Sequence, residues 1–383
     1  MRISWSSSSR ALMLAAALGA AGHARAAGLP SIETAAKQAY IIDLANDTVL
    51  LDKRSTEPMP PASMAKLMTM YLVFEHLKQD RMRLGDELPV SERAWRMGGS
   101  KMFVQVGARV KVEDLVRGVV VQSGNDACVV FAEAIAGSEE AFAKLMTERG
   151  KEIGLKGSVF TNSSGWPDPR MLVTARDLAQ LARRIIEDFP DYYRYYSEIN
   201  FTYNNIKQRN RNPLLDKNLG ADGLKTGHTD TSGYGLTAAA KQQGRRVILV
   251  VNGLNDEKQR AQETERLMAW AFREFENVEL FKSAAVLDQA AVWLGEKPDV
   301  PLQLEGLLSV TVPRAKRDEI TARVRYSGPL PAPVAKGQRV GTLVVAVPDM
   351  PAIERPLLAA EDVPRKGFFG RAYAAARHLV AGP

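Results

Sequence analysis

The sequence predicts an α+β protein: a helical middle set between strand segments, then a small all-β domain, then a terminal amphipathic helix. Three observations carry this. Residues 63–190 are mostly helical in pattern, and strand-like runs lie on either side of them, at 39–51 and 221–252. From about Asn277 the chain turns Val-, Leu- and Pro-rich in short alternating segments such as LLSVTVPRA and RVGTLVVAV, which read as a separate β domain over 277–364. With 383 residues, 45% hydrophobic and 25% charged, the composition is that of a globular protein, and the length suits two domains.

The elements follow in order. Arg2 and Arg10 form a basic start, 11–22 an apolar run, and Ala24-Arg25-Ala26 a small-x-small cleavage site, so residues 1–26 read as an export signal. The run is too short to cross a bilayer, which takes about 20 apolar residues. Residues 39–51 read as strand, Asn-Asp turn, strand. Pro58, Pro60 and Pro61 break the chain just before Ser63, and 63–77 is apolar nearly all round, the mark of a buried helix. Turn signals fall at Gly98-Gly99 and Gly124-Asn125. Residues 221–227 read as a strand, 236–240 and 247–252 as a hairpin about Gln243-Gly244, and 258–275 as an amphipathic helix that ends the first domain, 27–276. In 365–383, Phe368, Phe369, Tyr373, Leu379 and Val380 share one side of a helical wheel, with Arg371, Arg377 and His378 opposite. Such a helix is expected to lie on an anionic membrane surface.

Charge and cysteine content narrow the function classes. Three of the 51 basic residues lie in the leader and four in the last nineteen, with no acid in either, so 27–364 balances 44 basic against 44 acidic residues. A basic nucleic-acid-binding surface is not indicated. The single cysteine, Cys128, excludes a disulfide framework, and the four histidines, at 23, 76, 228 and 378, show no metal-ligand spacing. Neither metal nor cofactor is expected.

Neither G-x-S-x-G nor H-E-x-x-H occurs. Ser63-Met64-Ala65-Lys66 does, at the start of the buried helix, where a spacing of three puts hydroxyl and amine on one face. A helix N-terminus also offers backbone N–H groups and a positive dipole end to a developing oxyanion. Lysine is a base only when neutral, against a solution pKa of about 10.4; burial and a second cation would both lower it. Alone, S-x-x-K occurs by chance about once in a chain this long. It is followed 60 residues later by Ser123-Gly124-Asn125 at a turn, and 100 residues after Asn125 by Lys225-Thr226-Gly227 on a strand. The ordered triple is far rarer than its parts.

This triple resembles that of the penicillin-recognising serine acyl transferases. In detail, PPASMAKLMT, VVQSGNDACV and DGLKTGHTDTSGYGL resemble the D-alanyl-D-alanine carboxypeptidases, the low-molecular-mass penicillin-binding proteins. The resemblance implies an antiparallel sheet flanked by helices, with a helical lobe inserted between S-x-x-K and K-T-G. It implies Ser63 as acylated nucleophile, Lys66 as its base, Ser123 as proton relay to the leaving amine, and Asn125 as a holder of the substrate amide that also orients Lys66. Lys225, Thr226 and Arg260 would meet the substrate's carboxylate, with Gly227 as a further substrate-binding position and Arg211 at the rim, and the N–H groups of Ser63 and His228 would form the oxyanion hole. The activity implied is removal of the terminal D-alanine from peptidoglycan stem pentapeptides, with β-lactams as covalent inhibitors, in the periplasm on the outer face of the cytoplasmic membrane. A β-lactamase or endopeptidase of the same superfamily, or a non-catalytic peptidoglycan-binding scaffold, are the alternatives. Against a β-lactamase, 163–172 (SSGWPDPRML) holds no glutamate to activate water.

Other residues read as structure: Thr174 and Asp177 as a capping box, Cys128 as a packed side chain, and His76 as an ordinary helix residue. Trp166-Pro167 departs from the commoner family pattern in the loop that borders the site.

Overall fold

The computed structural model describes residues 30–370. The export signal expected over 1–26 lies outside them, as does most of the amphipathic helix expected over 365–383, of which 365–370 are described. The chain divides into two compact units, Ile32–Arg273 and the part that begins at Glu274.

In the first unit, β1 (Gln38–Asp43) and β2 (Thr48–Lys53) form the expected opening hairpin, with Asp47 at φ +63° in its turn. A 3-10 turn, Ala62–Ala65, leads into α1 (Lys66–Lys78). The short strands β3 (Glu87–Pro89) and β4 (Arg109–Lys111) bracket α2 (Glu92–Arg96). The helices α3 (Val112–Val120), α4 (Asn125–Ala136), α5 (Glu139–Glu152), α6 (Ala175–Asp188) and α7 (Pro190–Tyr193) complete the helical part. A small hairpin, β5 (Asn200–Tyr203) and β6 (Ile206–Arg209), precedes the long strands β7 (Ala221–Thr229), β8 (Gly233–Gln242) and β9 (Arg245–Leu254), and α8 (Glu257–Glu274) follows. The sheet runs β2-β1-β9-β8-β7, with every pairing antiparallel.

Local chemistry explains the main elements. Gln243 and Gly244, both in the left-handed region at φ +49° and +83°, make the two-residue turn that matches strand twist in the β8–β9 hairpin. Every residue of α1 from Lys66 to Phe74 is buried, as its all-round apolar run requires. Each large apolar side chain so buried contributes roughly 1.5–3 kcal/mol, which makes α1 a rigid post. Its neighbours in function are held to it: α3 and α4 pack on it, and β7 lies against the turn that opens it. Thr174 caps α6 by accepting from Asp177 N at 3.0 Å. The capping box is only half made, since the Asp177 carboxylate accepts from Lys156 N, Gly157 N and Ser158 Oγ instead.

The second unit is β throughout its described residues, apart from a 3-10 turn at Arg314–Glu319 and a helical start at 368–370. β10 (Phe275–Phe281) pairs with β13 (Leu308–Pro313). β11 (Val286–Trp293), β12 (Asp299–Leu304), β14 (Thr321–Arg325), β15 (Leu330–Pro331), β16 (Arg339–Ala346) and β17 (Ile353–Ala359) form a sheet in the order β14-β16-β17-β12-β11-β15. Its own core includes Val300, Leu302, Val310, Leu343 and Leu357. Strand β10 begins at the residue after α8 ends, just ahead of the change in composition at Asn277, so no linker residues separate the two elements. Val278, the next residue, is already part of this core.

Candidate active site

The turn that opens α1 sets the geometry. The sequence predicts Ser63 as the first residue of a helix; the structure puts it in the 3-10 turn, with the α-helix proper starting at Lys66. The reason is local. Pro60-Pro61 and a left-handed Ala62 (φ +46°) bend the chain there, and Gly165 packs directly on the Ala62 carbonyl. A Cβ on Gly165 would stand 1.8 Å from that oxygen, and its φ of +79° also favours glycine. The turn still brings the pair together: Lys66 Nζ donates to Ser63 Oγ at 2.8 Å. Lys66 also donates to the Ser164 carbonyl at 2.6 Å, and its side chain is wholly buried.

The Ser164 carbonyl is a partner that sequence reasoning missed. Its loop is built by Asn162, whose Oδ1 accepts from Gly165 N at 2.8 Å and Trp166 N at 3.0 Å. Thr69 of α1 donates to the Ser163 carbonyl at 2.5 Å, and Glu139 of α5 accepts from Ser163 N and Oγ. The other oxygen of Glu139 is taken by Arg93, at 2.9 Å. This carboxylate therefore braces the loop. The signal available in the sequence is the Asn-Ser-Ser-Gly turn, which fits a side chain that caps its own loop.

Ser123 and Asn125 lie where α3 gives way to α4. Ser123 is left-handed, at φ +62°, and buried, and its Oγ has no hydrogen-bond partner among the described residues. A strained backbone and an unpaired buried hydroxyl both carry a cost, and Ser123 combines the two. Asn125 Nδ2 donates to the Gly98 carbonyl at 2.8 Å. Asp126, buried beside it, accepts from Met102 N, Phe103 N and Val104 N, and so ties the 100–104 segment to the start of α4.

Strand β7 carries Lys225, Thr226, Gly227 and His228, and it closes the sheet at one edge, with β8 as its strand partner. Gly227 faces the Ser63 turn, where an added Cβ would stand 2.8 Å from the Pro61 carbonyl. Lys225 is buried and donates to the Thr226 carbonyl at 3.0 Å. The His228 ring is exposed and stacks on Tyr234 at 3.8 Å. Arg260 reads on sequence alone as a solvated helix charge, yet it is buried. Its guanidinium lies over Tyr234 at 5.6 Å, Nη2 donates to Glu257 at 2.9 Å, and Nε has no partner among the described residues. Arg211 donates to Ser100 Oγ at 2.6 Å.

These positions share a field. Burial lowers the Lys66 pKa to about 8, and Arg211 adds to the effect. Burial also pushes Lys225 well below the usual lysine range, with further lowering from Lys66, Arg211 and Arg260. Cys128, packed nearby, is driven the other way, to about 12, chiefly by burial, which leaves it a neutral thiol. The arrangement offers a hydroxyl with a deprotonatable amine beside it and a group of cations suited to a carboxylate.

The family model for D-alanyl-D-alanine carboxypeptidases matches residues 23–256, and the model for the penicillin-binding protein 5 C-terminal domain matches 275–365. The chain is 40% identical to D-alanyl-D-alanine carboxypeptidase DacC of Escherichia coli over 352 residues, which is 90% of this chain and 88% of DacC. Penicillin-binding protein 5 of Haemophilus influenzae superposes with a TM-score of 0.78 at 37% identity, over 88% of this chain and all of that one. The carboxypeptidase DacD of Francisella tularensis gives 0.80 at 30% identity, over 90% of this chain and 98% of that one. A family match along most of the first unit, extended by relatives through nearly the whole chain, leads to one assignment: the chain belongs to the D-alanyl-D-alanine carboxypeptidase family.

Proposed function

We propose that the protein removes the terminal D-alanine from peptidoglycan stem pentapeptides through an acyl-enzyme on Ser63. The observation that carries this is the 2.8 Å contact between Ser63 Oγ and a fully buried Lys66 whose pKa is about 8. The substrate lies extended along the open edge of β7, as peptides commonly add to a sheet edge. Its carboxylate meets Lys225, Thr226 and Arg260. Ser63 Oγ then attacks the scissile carbonyl while Lys66 takes its proton. The backbone N–H groups of Ser63 and His228 receive the oxyanion. Collapse breaks the C–N bond, and the proton passes through Ser123 to the departing D-alanine amine. Water completes the cycle by hydrolysing the ester.

Penicillin carries an equivalent carboxylate beside its strained amide and should label Ser63 by the same contacts. Fluorescent penicillin is expected to label the native protein covalently and to leave Ser63→Ala unlabelled. No label on the native protein would favour a scaffold without catalysis. The sign of the pH dependence follows from Lys66: only the neutral amine accepts the proton, so acylation rises with pH up to about 8 and falls about tenfold per unit below it. A second-order acylation rate that stays flat from about pH 6 to 8 would remove Lys66 as the base.

The export signal and the amphipathic terminus support a periplasmic enzyme held on the outer face of the cytoplasmic membrane. Among the described residues, no helix is long and apolar enough to cross a membrane. Deletion of 365–383 is expected to release the protein from membranes and to leave peptide hydrolysis intact. Equal membrane recovery of both forms, in low and high salt, would refute the anchor.

A further inference from the structure

The geometry points to a role for Trp166 that the three motifs leave unassigned: it walls a subsite for the side chain third from the substrate's carboxylate. This rests on the carboxypeptidase reading above. The indole is 46% exposed, unusual for so large an apolar group, yet its backbone is held at both ends. Trp166 N donates to Asn162 Oδ1 at 3.0 Å, and its carbonyl accepts from Asn162 Nδ2 at 3.0 Å. One side of the ring lies on Gly98 and Gly99, where an added Cβ would stand 3.1 Å from Cη2 or Cζ3. The Gly98 carbonyl is the acceptor of Asn125 Nδ2, so the indole and Asn125 lean on the same short piece of backbone.

Trp166 also borders a cavity of about 200 Å³, whose lining includes Pro60, Ala62, Asp168, Met171, Thr229 and Thr231. A cavity of about 150 Å³ is enough to hold a benzene molecule, so this one has room for a long side chain. Its position says which part of the substrate enters. On β7, Lys225 and Thr226 precede Gly227, the residue that faces the Ser63 turn, and Thr229 follows it. A peptide whose carboxylate sits at Lys225 and Thr226 must send its upstream residues toward Thr229. At about 3.3 Å per residue, Thr229 lies some two residues beyond Gly227, where the third residue of an extended peptide would pass. The wall there is indole, proline and methionine, with Asp168 and two threonines as its polar residues. That surface suits an aliphatic stem with a polar tip, the form of the diamino acid in a stem peptide.

The test compares two substrates that differ only in that side chain: diacetyl-L-Lys-D-Ala-D-Ala and acetyl-Gly-D-Ala-D-Ala. Trp166→Ala is expected to lower kcat/KM on the lysine peptide by about 10- to 200-fold, the range for losing a good apolar contact, and to change the glycine peptide by less than about threefold. Trp166→Phe should keep most of the discrimination. An equal loss on both peptides would overturn the proposal, because the loop would then act only through the Ser164 carbonyl and Lys66. No loss on either would overturn it too. If the native protein cleaved neither peptide, the carboxypeptidase reading would fail first. The wall would then be judged by penicillin acylation alone, where Trp166→Ala should slow benzylpenicillin and spare 6-aminopenicillanic acid, which lacks the acyl side chain.

Discussion

Lys66→Arg is expected to slow acylation of Ser63 by about 10²–10⁴-fold, the usual contribution of a positioned general base. The substitution keeps the positive charge and nearly the length of the side chain, so electrostatics alone would predict a mild effect. A guanidinium does not deprotonate in proteins, however, and cannot take the Ser63 proton. The setting makes the contrast sharp: Lys66 is wholly buried, and its amine is already shared between Ser63 Oγ and the Ser164 carbonyl. The rate of fluorescent penicillin labelling measures this directly. Acylation within about tenfold of the native rate, a barrier change below roughly 1.4 kcal/mol, would sink the assignment.

The second large effect is expected at Arg260. A carboxypeptidase differs from an endopeptidase in reading the free carboxylate, and a charge-assisted hydrogen bond to it contributes about 1.5–3 kcal/mol. Burial would make such a contact at Arg260 strong. Arg260 is buried against Tyr234, and its ion-pair partner among the described residues, Glu257, is largely exposed. Arg260→Ala should therefore lower kcat/KM on a D-Ala-D-Ala peptide by about 10- to 100-fold. The same variant should act almost normally on a peptide whose terminal carboxylate is replaced by an amide, for which the native enzyme is already poor. Equal losses on the two peptides would reassign Arg260 to the packing of β8 and α8.

What the sequence reveals and what it hides follow from the range of the forces involved. Gln243-Gly244 is legible as a hairpin turn because two left-handed residues are a local requirement. The burial of α1 is legible because its apolar pattern has no polar side. The nearness of Lys66 and Lys225 is legible only through motif order, since periodicity does not say which helix starts and strands converge. Contacts made at a distance stay hidden. Ser164 is 98 residues from Lys66, and nothing near either residue announces their bond. Gly165 packs on the Ser63 turn from about 100 residues away, a contact that the local pattern of Pro60, Pro61 and Ala62 does not announce. Arg260 looks like a surface charge on its own helix, and only Tyr234 on β8 shows why it is buried.

The central claim is that Ser63 passes the peptide, minus one D-alanine, to water. Its most direct measurement is the mass spectrum of the products from a stem pentapeptide, taken with the native protein and with Ser63→Ala. The account predicts a tetrapeptide and free D-alanine from the native protein, and unchanged pentapeptide from the variant. Rapid, repeated hydrolysis of penicillin with no release of D-alanine, or tetrapeptide formed equally well without the Ser63 hydroxyl, would contradict it.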